Sequence, residues 1–286
     1  MLTTGTIRAR MEAALAGEVV QWPVYAVYDW FVENRPIDWP GLFGLGLEDT
    51  RITADSEPFL KSEAEVGDRG VTVGQLERSP LLGRSPVMEI QVQLAGLSRF
   101  AMDMADQVPE RMELLERMSD LKLRQVREAV KTPAKYIKLW DNMSIETIGL
   151  KVYNRHMVPL YRQILEILAS AGKRLLVHYD GKMRLVAQQI ACLDFDLDSL
   201  TPPPEGDMTI AEARAAWPQK FFWLHPPLGW YRDRFALAER IRQMVRDAGP
   251  RRFCLMISED VPPDWQQTVP LVLETLQGDC FRSVQG

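Results

Sequence analysis

Apolar positions in the second half of the chain follow two alternating rhythms. Val158, Tyr161, Ile164, Leu165 and Leu168 recur at three- and four-residue spacing, which puts them on one face of a helix that stops at Gly172. The basic pair Lys173 and Arg174 then leads into Leu175, Leu176 and Val177, a short apolar run that reads as a buried strand. The same grammar returns later: Phe235, Ala238, Ile241 and Val245 mark a helical face over Arg234 to Ala248, Gly249 ends it, and Phe253 to Ile257 is the next strand. Helices alternating with wholly apolar strands predict a parallel sheet covered by helices.

Outward from these anchors, strands are expected at Pro23 to Tyr28, Arg51 to Ala54, Val71 to Leu76, Tyr136 to Trp140, Arg174 to Val177, Asp198 to Leu200, Phe221 to Leu224 and Phe253 to Ile257. Eight strands in a chain of 286 residues predict the α/β class and one (β/α)8 TIM-type barrel domain over residues 1–286. An open doubly wound sheet with fewer strands is the alternative. Asn34 to Asp49, rich in proline and glycine, reads as an irregular loop, and the Pro202, Pro203, Pro204 run cannot continue a strand. Thr209 and Glu212 have the spacing of a capping box at the start of a helix running to Ala216.

Composition narrows the functional classes. Hydrophobic residues at 46% and charged residues at 26% suit a globular protein with a large core. The formal net charge of -5 supplies no basic field for a phosphate backbone, so nucleic acid is not expected as a partner. Cys192, Cys254 and Cys280 form neither a disulfide framework nor a four-cysteine zinc site, which suits a reducing, cytoplasmic setting. No apolar run of the length needed to span a bilayer occurs, and the first residues lack a signal-peptide pattern, so no membrane association is expected. The oligomeric state is left open by the sequence.

Polar residues at the ends of apolar strands carry the candidate chemistry, because a parallel barrel exposes those ends together at one mouth. Tyr28 and Asp29, Asp141 and Asn142, His178 to Gly181, His225 with Pro226, and Ser258 to Asp260 occupy these positions. His178 and Asp180 share one side of an extended strand, and with Glu259 they would offer nitrogen and oxygen donors to zinc or another divalent ion. A histidine-carboxylate hydrogen bond without metal is the alternative. Asp141, where a buried strand meets the cavity, could act as an acid or base with His178, or cap the next helix. Trp22, Tyr25, Tyr28, Asn142 and His225 are the expected contacts to a small-molecule substrate, although aromatic residues at such spacing also serve as plain core. Cys254, inside an apolar strand, reads as a small buried hydrophobe, and no dinucleotide, P-loop, serine-hydrolase or zinc-protease motif is present.

Several of these segments, taken in order and spacing, resemble the uroporphyrinogen decarboxylase superfamily, which also holds the cobalamin-dependent methyltransferases. The similarity runs over about Pro80 to Leu276 plus Ile7 to Asp29, and rests on Asp141-Asn142, Gly172-Lys173 leading to His178-Tyr179-Asp180-Gly181, Pro202 to Pro204, His225 to Pro227, and Ser258 to Pro263. The resemblance implies a (β/α)8 barrel. It also exposes departures. Where true decarboxylases of the family carry an arginine-rich segment after the first strand, this chain has Tyr25 to Trp30, aromatic and acidic, which would repel a substrate of eight carboxylates. The region between the first two strands is shorter than in relatives.

The methyltransferase branch places a zinc-binding His-x-Cys pair after the fifth strand. Here His178 matches and Asp180 replaces the cysteine, so a harder, oxygen-rich metal site is implied. The expectation drawn from the resemblance is a corrinoid-linked, metal-assisted methyltransferase, with zinc at His178, Asp180 and Glu259 and a methylcobamide carried by a partner corrinoid protein. The alternatives are a decarboxylase of a small aromatic or pyrrole acid and a catalytically silent barrel.

Overall fold

The computed structural model describes residues 6–20, 23–27, 48–52, 57–76, 83–257 and 265–278. In chain order they form α1 (Ile7–Ala16), β1 (Val24–Val27), β2 (Glu48–Ile52), α2 (Glu57–Val66), β3 (Val73–Leu76), α3 (Leu97–Asp106), α4 (Pro109–Ala129), β4 (Tyr136–Leu139), α5 (Val158–Ser170), β5 (Arg174–His178), β6 (Asp196–Leu200), α6 (Ile210–Ala216), β7 (Phe222–Leu224), α7 (Arg234–Ala248), β8 (Phe253–Ile257) and α8 (Trp265–Gln277), joined by shorter helical turns. The chain divides into two compact units: residues 1–48, 63–71 and 199–286, and residues 49–62 and 72–198.

In the first unit β8 pairs in parallel with β1 on one side, Val24 opposite Cys254, and with β7 on the other, Phe222 opposite Phe253. All five side chains of β8 are buried, Cys254 among them, as expected of a strand covered on both faces. α7 packs against α6 and α8. Its buried face is Leu237, Ile241, Met244, Val245 and Ala248, so the apolar stripe is centred one residue away from the expected one and Phe235 stands fully in solvent. Thr209 and Glu212 make the reciprocal capping box that starts α6.

The second unit carries β3, β4, β5 and β6 in parallel register, with Ile137 opposite Leu175, Lys138 opposite Leu176 and His178 opposite Asp198. α5 begins with Pro159 in its first turn, buries Val158, Leu160, Tyr161, Ile164 and Leu168, and packs against β5 and α4. Gly172, at φ 67, turns the chain, and the Lys173 N–H donates back to the Leu168 carbonyl before β5 starts. Among the described residues no helix is long and apolar enough to cross a membrane.

Candidate functional site

Strand alternation in the second unit sorts side chains by parity. Ile137, Leu139, Leu175, Val177 and Leu197 point one way, toward the helices, while Lys138, Leu176, His178, Asp196 and Asp198 point the other. Charged residues in the middle of buried strands are costly unless paired, and here they are paired with each other. Nδ1 of His178 lies 2.8 Å from Oδ2 of Asp198. The same carboxylate oxygen forms an ion pair with the Lys138 ammonium, which also sits 3.5 Å from the centre of the Trp140 ring. The His178 ring is 5.0 Å from that of Trp140, tilted by 34°.

This geometry orders the two nitrogens of His178. With the Asp198 carboxylate also paired to Lys138, Nδ1 donates its proton to that carboxylate, and Nε2 is left for other partners. It faces Asp180, whose Oδ2 is 3.7 Å away and whose side chain is 42% exposed. Burial is the largest influence on the imidazolium and lowers its pKa, and Lys138 adds to that. The Asp180 and Asp198 carboxylates outweigh both, so the pKa lies above the ordinary histidine value.

Asn142 completes the cluster. Its backbone N–H donates to the His178 carbonyl at 2.9 Å, and its side-chain amide donates to Oδ2 of Asp180 at 3.3 Å. It does so at φ 46, a left-handed conformation uncommon outside glycine and most accessible to asparagine.

The structure brings His178, Asp180 and Asn142 together and gives Asp141 different neighbours. Asp141 shares the parity of Ile137 and Leu139, on the side covered by α5, and is completely buried. Its carboxylate accepts the Ser85 N–H at 2.5 Å and the Tyr161 hydroxyl, and Tyr161 in turn accepts from Tyr179 at 2.7 Å. Burial raises the Asp141 pKa against the lowering by Tyr161, Ser85 and Lys122. Lys122, also completely buried, donates to Gln125 at 2.9 Å, and burial brings its amine down to about 7 against the pull of Asp141 and Glu89.

His225 lies in the first unit, where its N–H donates to the Leu200 carbonyl and its Nε2 is 3.4 Å from the Ser199 hydroxyl. Ser199, inside β6, is a second non-glycine residue of the strand region at positive φ, 60°. Tyr25 is half-buried on β1, opposite Leu255 and near Arg10. Trp22, Tyr28 and Glu259 lie outside the described residues.

The expected zinc ligands are therefore described in two of three cases. Zinc takes such donors at about 2.0–2.2 Å, which sets two tetrahedral ligands about 3.4 Å apart. The separation of 3.7 Å between Nε2 of His178 and Oδ2 of Asp180 suits one ion, and the Asp198 bond to Nδ1 is the usual outer support of a metal-binding histidine. Among the described residues no group of three or more His, Cys, Asp or Glu is placed to hold a metal.

Lys138, Trp140, Asp198, Tyr161 and Tyr179 were not singled out from sequence. Two signals were present: a lysine inside the otherwise apolar run Tyr136 to Trp140, and the alternating acids Asp196 and Asp198 in the sixth strand. Each is a buried charge that requires a partner.

No family model matches the chain, and no curated protein matches it. Among solved structures it is similar to the xylose isomerase domain protein from Planctomyces limnophilus, at 12% identity with a TM-score of 0.51, over 92% of this chain and 98% of that one. It is also similar to dispersin B, at 10% identity with a TM-score of 0.34, over 81% of this chain and 77% of that one. The first likeness shows the fold: α/β, of TIM-barrel type. A fold of this kind hosts many unrelated activities and does not itself name one.

Proposed function

We propose that the chain is an acid-base enzyme of the (β/α)8 barrel type, with the His178 imidazolium donating a proton from Nε2 to a small substrate. The observation that carries the reading is the Asp198 carboxylate on Nδ1, which fixes the ring and leaves Nε2 beside a half-exposed carboxylate. The two carboxylates raise the imidazolium pKa above the ordinary histidine value, which favours the protonated ring that a donor needs. The reaction this suits best is decarboxylation of a small aromatic or pyrrole acid. Loss of carbon dioxide leaves an electron pair on carbon, Nε2 supplies the proton that quenches it, and the imidazole regains a proton from water through Asp180. The resemblance to the uroporphyrinogen decarboxylase superfamily, set out from the sequence, points the same way.

The test is carbon dioxide release from a panel of such acids in deuterated water, with one deuteron expected in the product. His178→Asn should lower turnover by roughly 10²–10⁴-fold, the usual contribution of a positioned acid. Full turnover by that variant, or a panel without any turnover, removes the reading.

One observation favours a second reading, corrinoid-linked methyl transfer: the spacing of Nε2 and Asp180 suits a shared metal ion. A metal there would supply Lewis acidity toward a substrate heteroatom. His178 and Asp180 would hold it, Asp198 would orient the histidine, and a partner corrinoid protein would bring the methylcobamide. Metal analysis of protein purified without chelator separates the two readings.

A further inference from the structure

We propose that Asp141 is a positioning residue for the His178 and Asp180 pair, acting through Asn142 and the two loops that leave β4 and β5. The inference rests on the acid-base reading above and adds to it a residue that touches no reacting group.

The argument is a closed circuit of bonds. Asp141 accepts the Tyr161 hydroxyl, Tyr161 accepts the hydroxyl of Tyr179, and Tyr179 follows His178 in the chain. On the other side Asn142 follows Asp141, and its N–H donates to the carbonyl of His178. The circuit encloses one peptide unit of each loop. Movement of Asp141 therefore displaces the histidine backbone from two directions. The Tyr179 N–H, donated to the Asp198 carbonyl at 3.0 Å, ties β6 into the same arrangement.

Beyond the circuit the two loops are zipped together. The Gly181 N–H donates to the Met143 carbonyl at 3.2 Å, the Ile145 N–H to the Lys182 carbonyl at 2.9 Å, and the Lys182 N–H to the Ser144 hydroxyl at 3.2 Å. The approach is so close that a Cβ at Gly181 would lie 2.5 Å from the Ser144 Cβ and 2.7 Å from the Met143 carbonyl oxygen. Asn142 would not hold φ 46 unaided, because a left-handed residue relaxes unless its neighbours over-determine it. The buried anchor at Asp141, fixed further by the Ser85 N–H, is what over-determines it. The outcome is an Asp180 carboxylate already held near Nε2 before any substrate arrives, which is the rigid support that a proton-transfer site requires.

The experiment compares Asp141→Asn, Tyr161→Phe and Asn142→Gly in the full chain with Ile164→Val, a buried change on α5 chosen as a control for lost stability. Amide hydrogen exchange at residue 142, the imidazole nitrogen NMR signals of His178 at fixed neutral pH, and the urea midpoint are read for each. Asp141→Asn and Tyr161→Phe are expected to speed exchange at Asn142 about tenfold over Ile164→Val at matched stability, the worth of one ordinary hydrogen bond, and to shift the imidazole signals. Asn142→Gly, which tolerates the left-handed backbone but loses the amide to Asp180, should shift the imidazole signals while leaving backbone exchange near wild type. Exchange and imidazole signals that match Ile164→Val in both Asp141→Asn and Tyr161→Phe overturn the proposal. Should Asp141→Asn fail to fold, Tyr161→Phe, which deletes one hydroxyl, decides alone. Failure of the underlying reading looks different: full turnover by His178→Asn removes acid-base catalysis whatever the signals do. Unmoved signals beside an inactive His178→Asn remove only the role of Asp141.

Discussion

Lys138 and Asp198 form an ion pair in which the side chains are 2% and 5% exposed, one on β4 and the other two strands away on β6. The long lysine stem spans β5 between them, so the pair crosses a strand that contributes its own charge at His178. Removing one member of a buried pair leaves the other charge stranded and costs roughly 3–5 kcal/mol. Lys138→Met should fall at the low end, about 3 kcal/mol by urea unfolding, because His178 still donates to Asp198. Lys138 also holds the imidazolium pKa down, so the same variant should titrate His178 at higher pH by NMR. A lower titration point would contradict the arrangement.

Lys122 gives a second prediction, a stability that depends on pH. Its folded-state pKa, lowered to about 7, lies below the unfolded value near ~10.4, so between these limits the unfolded chain binds more protons than the folded one. Stability from this group therefore rises as pH increases from about 7, where the buried amine gives up its charge. Comparing wild type with Lys122→Met in urea at intervals from neutral pH to about 9 should show a positive slope in the difference that the variant lacks. Parallel curves would mean that Glu89 and Asp141 keep the amine charged throughout.

Much of the strand pattern was legible because a buried parallel strand is an unbroken apolar run, as Phe253 to Ile257 and Leu175 to Val177 are. Where charge interrupts the run, the boundary blurs. The sixth strand begins at Asp196, two residues earlier than expected, since two aspartates hid its start. The second strand, Glu48–Ile52, begins three residues before the expected Arg51, in a polar stretch with no period to read. Of the site, His178 with Asp180 was readable from two-residue spacing alone. The sequence offers Asp141 either as an acid or base at the cavity or as a cap of the next helix, but parity along β4 sends it to the helix side, where it accepts from Tyr161 with Tyr179 behind, 20 and 38 residues distant in the chain, a juxtaposition no local pattern encodes.

The metal-assisted reading makes its own demand on Asp180. Equilibrium dialysis at neutral pH should show zinc or cobalt bound by wild type and weakened at least tenfold by Asp180→Asn, which keeps shape and removes the charge of one ligand. Occupancy should also fall on acidification, as protons compete for Nε2. Wild type that binds no divalent ion ends that reading and leaves the acid-base one standing.

Asp198→Asn tests the acid-base reading at its centre, because it replaces the carboxylate on Nδ1 with a neutral amide of the same shape. Asp198 is one of two groups that raise the His178 pKa against burial and the charge of Lys138. With it neutral, those opposing influences win, and the imidazolium pKa should drop below that of wild type. A raised folded-state pKa contributes stability that is complete below the unfolded value near ~6.5 and is lost as pH rises through the folded value, so wild type should lose this increment on going alkaline and Asp198→Asn should not. The acid in the reaction is the protonated ring, hence the alkaline limb of the rate profile should move to lower pH in the variant. Turnover at its own optimum should also fall, since the amide no longer selects the tautomer that presents Nε2. An alkaline limb that stays in place, with the His178 NMR titration unshifted, would mean that Asp198 is there for Lys138 alone and that the proton donor must be sought elsewhere.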